Sequence, residues 1–106
     1  MMFESLFDIV KEFFLKADVR DIYTHMAFEF RVQGEPSGVF YLEIKEGQIR
    51  IEPYEYHDRD ALLTLDGETL LEICHGHLKP MLAFAVGRLK VEGNLAKVRL
   101  ISKVLV

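Results

Sequence analysis

Between Met26 and Ile51 the chain alternates apolar and polar residues with a period of two, and that alternation restricts its folds severely. Met26, Phe28, Phe30 and Val32 fall on one side of an extended segment, and Ala27, Glu29, Arg31 and Gln33 on the other. Phe40, Leu42 and Ile44 alternate in the same way with Tyr41, Glu43 and Lys45. Ile49 and Ile51 continue a third strand, which Pro53 limits. Successive side chains of a strand point to opposite faces, so each of these strands has one apolar and one polar face. That is the pattern of an antiparallel sheet covered on one side only. Gln33 to Gly38, with Gly34, Pro36 and Gly38, reads as a loop, and Glu46-Gly47 as a tight hairpin turn. A polar loop from Glu55 to Asp60 precedes a short fourth strand, Ala61 to Leu65.

Helices flank this sheet in sequence. From Phe3 to Ala17, residues Phe3, Leu6, Phe7, Ile9, Val10, Phe13, Phe14 and Ala17 share one helical arc. Glu4, Ser5, Asp8, Lys11, Glu12 and Lys16 share the other, and only Leu15 breaks the division. A helix so divided buries one face. A membrane-surface helix would be basic on its polar side; this one mixes signs, so docking on its own domain is the reading preferred. Asp66 is a suitable N-cap for a helix reaching about His75, with Gly76 beyond its end. Pro80 suits the first turn of a short helix to Val86, closed by Gly87. Arg88 to Glu92 alternates again, and Asn94 caps a last helix, Leu95 to Leu105. Val98, Leu100, Ile101, Val104 and Leu105 form its apolar arc. Lys97 falls inside that arc and must snorkel or lie at the mouth of an opening. The expected class is α+β, with helices over one face of the sheet.

Size and composition exclude several functions. The 106 residues suit one domain, 1–106, able to build a core without staples. A single cysteine, Cys74, rules out an internal disulfide. Glu4 and Asp8 without an early Lys or Arg do not make a signal peptide. No apolar run approaches the roughly 18 residues of a membrane span, and a cytoplasmic location is expected. The formal charge of −4 disfavours nucleic acid as a partner. Charge is nonetheless uneven. From Arg88 onward Arg88, Lys90, Lys97, Arg99 and Lys103 face only Glu92, a net +4, which leaves −8 on the remainder. A basic end on an acidic body suits transient contact with an anionic membrane surface through Lys97, Arg99 and Lys103; a solvated helix face is the plainer reading.

Chemistry-bearing groups are sparse. Cys74, His75 and His77 cluster, and His57, Asp58 and Asp60 could add ligands, but structural zinc requires four donors, usually as two separated pairs. The two imidazoles flank Gly76 and would diverge at a helix C-terminus, whose partial negative charge favours them. No metal and no cofactor is expected. Cys74, mid-helix beside Ile73, reads as a small hydrophobe. The hydroxyls Ser5, Ser37, Thr64, Thr69 and Ser102 lie in no nucleophile-elbow context, and Gly87 and Gly93 are caps of a strand, not a phosphate cradle. The chain is expected not to be an enzyme.

Several stretches together resemble the sterol carrier protein 2 family. The carrying residues are Asp60-Ala61, Asp66, Leu70-Leu71, Gly76, Pro80-Met81 and Ala83-Phe84, and above all the run Gly87-Arg88-Leu89-Lys90-Val91-Glu92-Gly93-Asn94. Upstream, Gly38-Val39-Phe40-Tyr41-Leu42 and Glu46-Gly47-Gln48-Ile49 are similar to the family's second and third strands. The size resembles that of small stand-alone, often bacterial members. The resemblance implies a five-stranded, mainly antiparallel sheet with helices on one face and an apolar cavity between them. It further implies non-catalytic binding and transfer of a fatty acyl, isoprenoid or sterol-like ligand. Three departures are visible. The terminal Val104-Leu105-Val106 is not a peroxisomal tripeptide, no longer tail follows the last helix, and Lys79 replaces a usual Asp or Asn before Pro80.

The residues expected to line the cavity are then Leu70, Ile73 and Cys74 on the capped helix, Met81, Phe84 and Ala85 on the next, and Val98, Ile101 and Leu105 on the last. Phe30, Leu42, Ile51 and Leu63 would form the sheet floor. Met and Phe adapt to loosely defined ligands but also fill ordinary cores. The competing reading is therefore a closed-core interaction module without bound ligand, whose Phe-rich first helix packs across a homodimer, or a lipid-sensing accessory subunit.

Overall fold

The computed structural model describes Met1–Leu105; Val106, the last residue of the terminal tripeptide, lies outside the described residues. Its elements run α1 (Phe3–Leu15), β1 (Met26–Gln33), β2 (Gly38–Lys45), β3 (Gln48–Glu52), β4 (Ala61–Asp66), α2 (Gly67–Cys74), α3 (Pro80–Ala85), β5 (Lys90–Gly93) and α4 (Leu95–Val104). The five strands form one sheet in the order β3-β2-β1-β4-β5. All neighbours are antiparallel except the central pair β1 and β4, which run parallel. No helix among the described residues is long and apolar enough to cross a membrane.

Local chemistry sets the element ends. Asp66 Oδ1 accepts from the Thr69 N–H at 2.7 Å and caps α2. Asn94 Oδ1 accepts from the Lys97 N–H at 3.1 Å and caps α4. Lys79 offers α3 no side-chain cap. Glu46 and Gly47 both have positive φ, 54° and 74°. A two-residue hairpin loop with positive φ at both positions matches the twist of its strands. Gly93 has φ +116°, and a Cβ there would collide with the Asp60 carbonyl oxygen. Only glycine therefore lets β5 approach the start of β4 and turn into α4.

The inner face of the sheet carries the core. Phe30 and Phe40, opposite one another on β1 and β2, stack at 4.6 Å with nearly parallel rings. From α1, Phe7 meets Phe40 edge-on at 5.7 Å and Phe14 meets Phe30 at 5.6 Å. Leu6, Phe7, Val10 and Phe14 are the buried face of α1, as its periodicity predicts.

Two expectations are corrected here. The outer face of the sheet is not simply solvated: Ala27, Glu29 and Leu62 are buried on it. The cause is the segment 53–60, which folds back over β1 and β2. Tyr56 packs against Tyr41, with ring centroids 5.0 Å apart, and its hydroxyl donates to Glu43 Oε2 at 2.9 Å. Leu100, placed on the apolar arc of α4, is instead exposed. The buried stripe of that helix is Val98, Ile101 and Ser102.

Candidate functional site

Between the inner face of the sheet and the helices lies a small apolar void of about 30 Å³. Its floor is Phe28, Phe30, Leu42, Leu63 and Leu65 from β1, β2 and β4. Its walls are Phe14 of α1, Leu70 and Ile73 of α2, Pro80 and Leu89, and Val98, Ile101, Ser102 and Leu105 at α4. Ser102 brings the lining's hydroxyl, and that group already donates to the Arg99 carbonyl at 2.8 Å. No charged side chain lines the space. A void of this size has room for about two waters, but the Ser102 hydroxyl alone falls short of the roughly two to four polar partners a buried water needs.

Of the thirteen residues expected at a cavity, Phe30, Leu42, Leu63, Leu70, Ile73, Val98, Ile101 and Leu105 line the void. The other five do not. Ile51 is buried elsewhere in the core, and Cys74, Met81 and Phe84 are half-buried against it. Ala85 faces solvent. The α3 helix explains most of these differences: it is six residues long, and the side it turns inward is Ala83, which is fully buried. Phe14, Phe28, Leu65, Pro80, Leu89 and Ser102 line the void without having been expected there. Strict alternation from Phe30 and Leu63 reaches Phe28 and Leu65, and Phe14 lies on the apolar arc of α1, so the signal was present.

The cations of α4 divide. Lys97 is not a free surface charge, which corrects its assignment to a membrane-facing group. Its ammonium donates to Asp60 Oδ1 at 2.8 Å, and each partner is only 27% exposed. Asp60 Oδ2 also accepts from the Ala27 N–H at 2.8 Å, and the Asp60 carbonyl accepts from the Asn94 N–H at 2.9 Å. Burial alone would raise the Asp60 pKa, but the Lys97 ammonium and the Ala27 N–H outweigh it and hold the carboxyl below its ordinary range. The N-terminal turn of α4 is thus pinned to the sheet, while its C-terminal half rests on apolar contacts. Arg99 and Lys103 are exposed and have no ion-pair partner among the described residues.

The remaining ionisable groups are structural in their geometry. Glu29, 1% exposed, accepts from the Tyr56 N–H at 3.0 Å and pairs with Arg31 at 3.0 Å and Arg59 at 3.2 Å. Burial opposes its charge, yet these partners prevail and lower its pKa. Glu43 sits 2.8 Å from His25 Nε2. Burial pushes the Cys74 thiol up to about 12, so it is poorly suited as a thiolate nucleophile. His57 pairs with Glu55 at 3.3 Å, and the rings of His75 and His77 lie 6.1 Å apart. No three His, Cys, Asp or Glu side chains among the described residues converge as metal ligands.

Residues 15–106 match the SCP-2 sterol transfer family. The hydroxysteroid dehydrogenase-like protein 2 of Rattus norvegicus is 33% identical over 94 residues, covering 88% of this chain and 18% of that protein. The chain therefore spans about a fifth of such a relative's length. Among solved structures, palmitated SCP2L2 from Aedes aegypti superposes with a TM-score of 0.73 at 16% identity, over 99% of this chain and 95% of that one. The inverting sec-alkylsulfatase Pisa1 from Pseudomonas sp. gives 0.64 at 18% identity, over 76% of this chain and 13% of that one. At these identities the structures share the fold.

Proposed function

The chain belongs to the SCP-2 sterol transfer family, and from that premise we propose that it binds and transfers an apolar lipid without doing chemistry of its own. The observation that carries the reading is a void lined by apolar side chains and the single hydroxyl of Ser102, and walled in part by α4. The preferred cargo is a fatty acyl or isoprenoid chain, because the lining has no charged group, and its one hydroxyl, on Ser102, is already bonded to the Arg99 carbonyl, so nothing would position a headgroup deep inside. A single domain over 1–106 acting in the cytoplasm completes the reading.

Binding requires the chamber to grow. Small-molecule pockets are roughly 300–1,000 Å³, about ten times or more the present void. The proposed motion is an outward swing of the C-terminal half of α4, with Ile101, Ser102 and Leu105 leaving the floor. Asp60 and Lys97 hold the hinge end. Helix ends resting on few apolar contacts open most readily. Energetics favour exchange over retention. Burial is worth ~0.8 kcal/mol per methylene, so a sixteen-carbon chain gains on the order of 12 kcal/mol in a protein or in a bilayer alike. A carrier needs only to match the membrane and to open.

Titration with a fluorescent sixteen-carbon fatty acid tests this. Wild-type protein saturates at one site, and Ile101→Trp, which fills the void, loses most of the affinity while staying folded. No saturable uptake by folded wild-type protein would remove the lipid reading. The small void itself favours the second reading, a closed-core interaction or accessory module. A stable homodimer in light scattering, with neither co-purifying lipid in a native mass spectrum nor uptake of added lipid, would establish that one.

A further inference from the structure

Acidic groups are nearly absent from one long part of this chain. Sixteen of its 17 Asp and Glu residues precede Ile73, and only Glu92 follows, among Lys79, Arg88, Lys90, Lys97, Arg99 and Lys103. The structure sorts those six cations. Arg88 is held by Glu72 at 2.7 Å and Lys97 by Asp60. Lys90 lies opposite Thr64 in the register of β5 with β4, on the outer face of the sheet. Lys79 at the N-cap of α3 and Arg99 and Lys103 on α4 remain exposed, without an ion-pair partner among the described residues.

The same two helices expose apolar side chains. Leu82 of α3 is 53% exposed and Val86, the C-cap one turn on, 60% exposed, and Leu100 is 39% exposed on α4. Of the large exposed hydrophobics outside the chain start, these three are the ones with no carboxylate within three positions in sequence. The two helices touch each other, and both contribute to the wall of the void, through Pro80 and through Ile101, Ser102 and Leu105.

We propose that the α3–α4 face is a docking surface for an anionic lipid bilayer, with Leu82, Val86 and Leu100 entering the interface and Lys79, Arg99 and Lys103 meeting headgroup charge. The proposal rests on the lipid-carrier reading for its purpose, because docking here would set the opening end of α4 against the lipid source. Charge complementarity chooses the occupant: the rest of the chain is strongly acidic and would be repelled, which leaves this face to turn inward. Polybasic and apolar contributions together suffice for a reversible contact, whereas either alone gives marginal binding.

Vesicle co-sedimentation of the full chain, without any fatty acid, measures docking by itself. The expected result is binding to vesicles of phosphatidylcholine with 30% phosphatidylglycerol, in the sense of about a third anionic lipid, and little to phosphatidylcholine alone. Binding should fall at high salt. Neutralising Lys79→Gln, Arg99→Gln and Lys103→Gln together is expected to weaken partitioning roughly a hundredfold. Leu82→Asp with Val86→Asp should abolish it; both positions are exposed, and the charge variant serves if that pair unfolds. In buffer without vesicles all these variants should keep wild-type affinity for the fluorescent fatty acid. Vesicle binding that is absent in wild type, or unchanged in both variants, overturns the docking surface while fatty-acid uptake leaves the carrier reading standing. Loss of fatty-acid uptake with vesicle binding intact has the opposite meaning. A homodimer that Leu82→Asp disrupts, with no vesicle binding, overturns the bilayer as occupant.

Discussion

The two faces of the sheet are held by different physics. On the inner face, Phe28, Phe30, Leu42 and Leu63 meet the helices through contacts that have no preferred direction. On the outer face, Glu29 and Glu43 are fixed by hydrogen bonds and ion pairs of 2.8 to 3.2 Å to Tyr56, His25, Arg31 and Arg59, and just before β4 Asp60 is held by Lys97 at 2.8 Å. Dispersion and burial depend on area, so inner-face side chains can repack around a guest and keep most of their stabilisation. A buried carboxylate cannot lose its donors without a full desolvation cost. The contrast assigns plasticity to the helix side and rigidity to the strap side, which is the division a carrier needs: a floor that keeps its register while the roof moves.

The comparison is most sharply tested on the inner face. Leu63→Ala removes a void-lining side chain and is expected to cost about 2–5 kcal/mol, lowering the melting temperature by roughly 10 °C or more. Uptake of the fluorescent fatty acid should nevertheless be retained or strengthened, because the chamber is enlarged. Loss of uptake in a folded protein would break the assignment of plasticity to this face.

Glu29→Ala is the outer-face counterpart. It leaves the Tyr56 N–H and Arg59 without their acceptor and is expected to cost about 2 kcal/mol, read by urea unfolding, with fatty-acid affinity unchanged. The same face governs acid stability. Glu29, Glu43, Asp60 and Asp66 have pKa values below the ordinary 4.5 and 3.8. Their contribution is therefore complete above those ordinary values and is lost as pH falls below them and through the lowered folded ones. Thermal melts should be flat from neutral down to about pH 5 and decline below about 4.5, less steeply in Glu29→Gln. The smallest expected effect is at the hinge. Lys97→Met should cost about 1 kcal/mol and speed the release of bound fatty acid. Slower release would place the moving end of α4 elsewhere.

Much of this arrangement was legible in the sequence, for identifiable reasons. Period-two alternation fixed which residues of β1 and β2 face inward, and the 3.6 period fixed the buried side of α1. Asp66, Gly76, Pro80 and Asn94 marked the helix ends because caps are local chemistry. What local patterns could not reveal were pairings across distance. Glu29 looks like a solvated residue until Tyr56 and Arg59, 27 and 30 positions on, fold over it. Lys97 looks like a misplaced cation until Asp60, 37 positions earlier, takes its proton donors. Met81 and Phe84 read as lining, but a six-residue helix can turn only Ala83 fully inward. The closure of the void is a packing property, decided by how volumes add, and no periodicity encodes it.

Methyl-resolved NMR with added palmitate asks the central question directly. The account predicts large shifts at Leu42, Leu63, Leu70, Val98 and Ile101, and nearly unchanged amides at Glu29 and Tyr56. Unperturbed inner-face methyls at saturating palmitate, or shifts confined to the outer face, would contradict it.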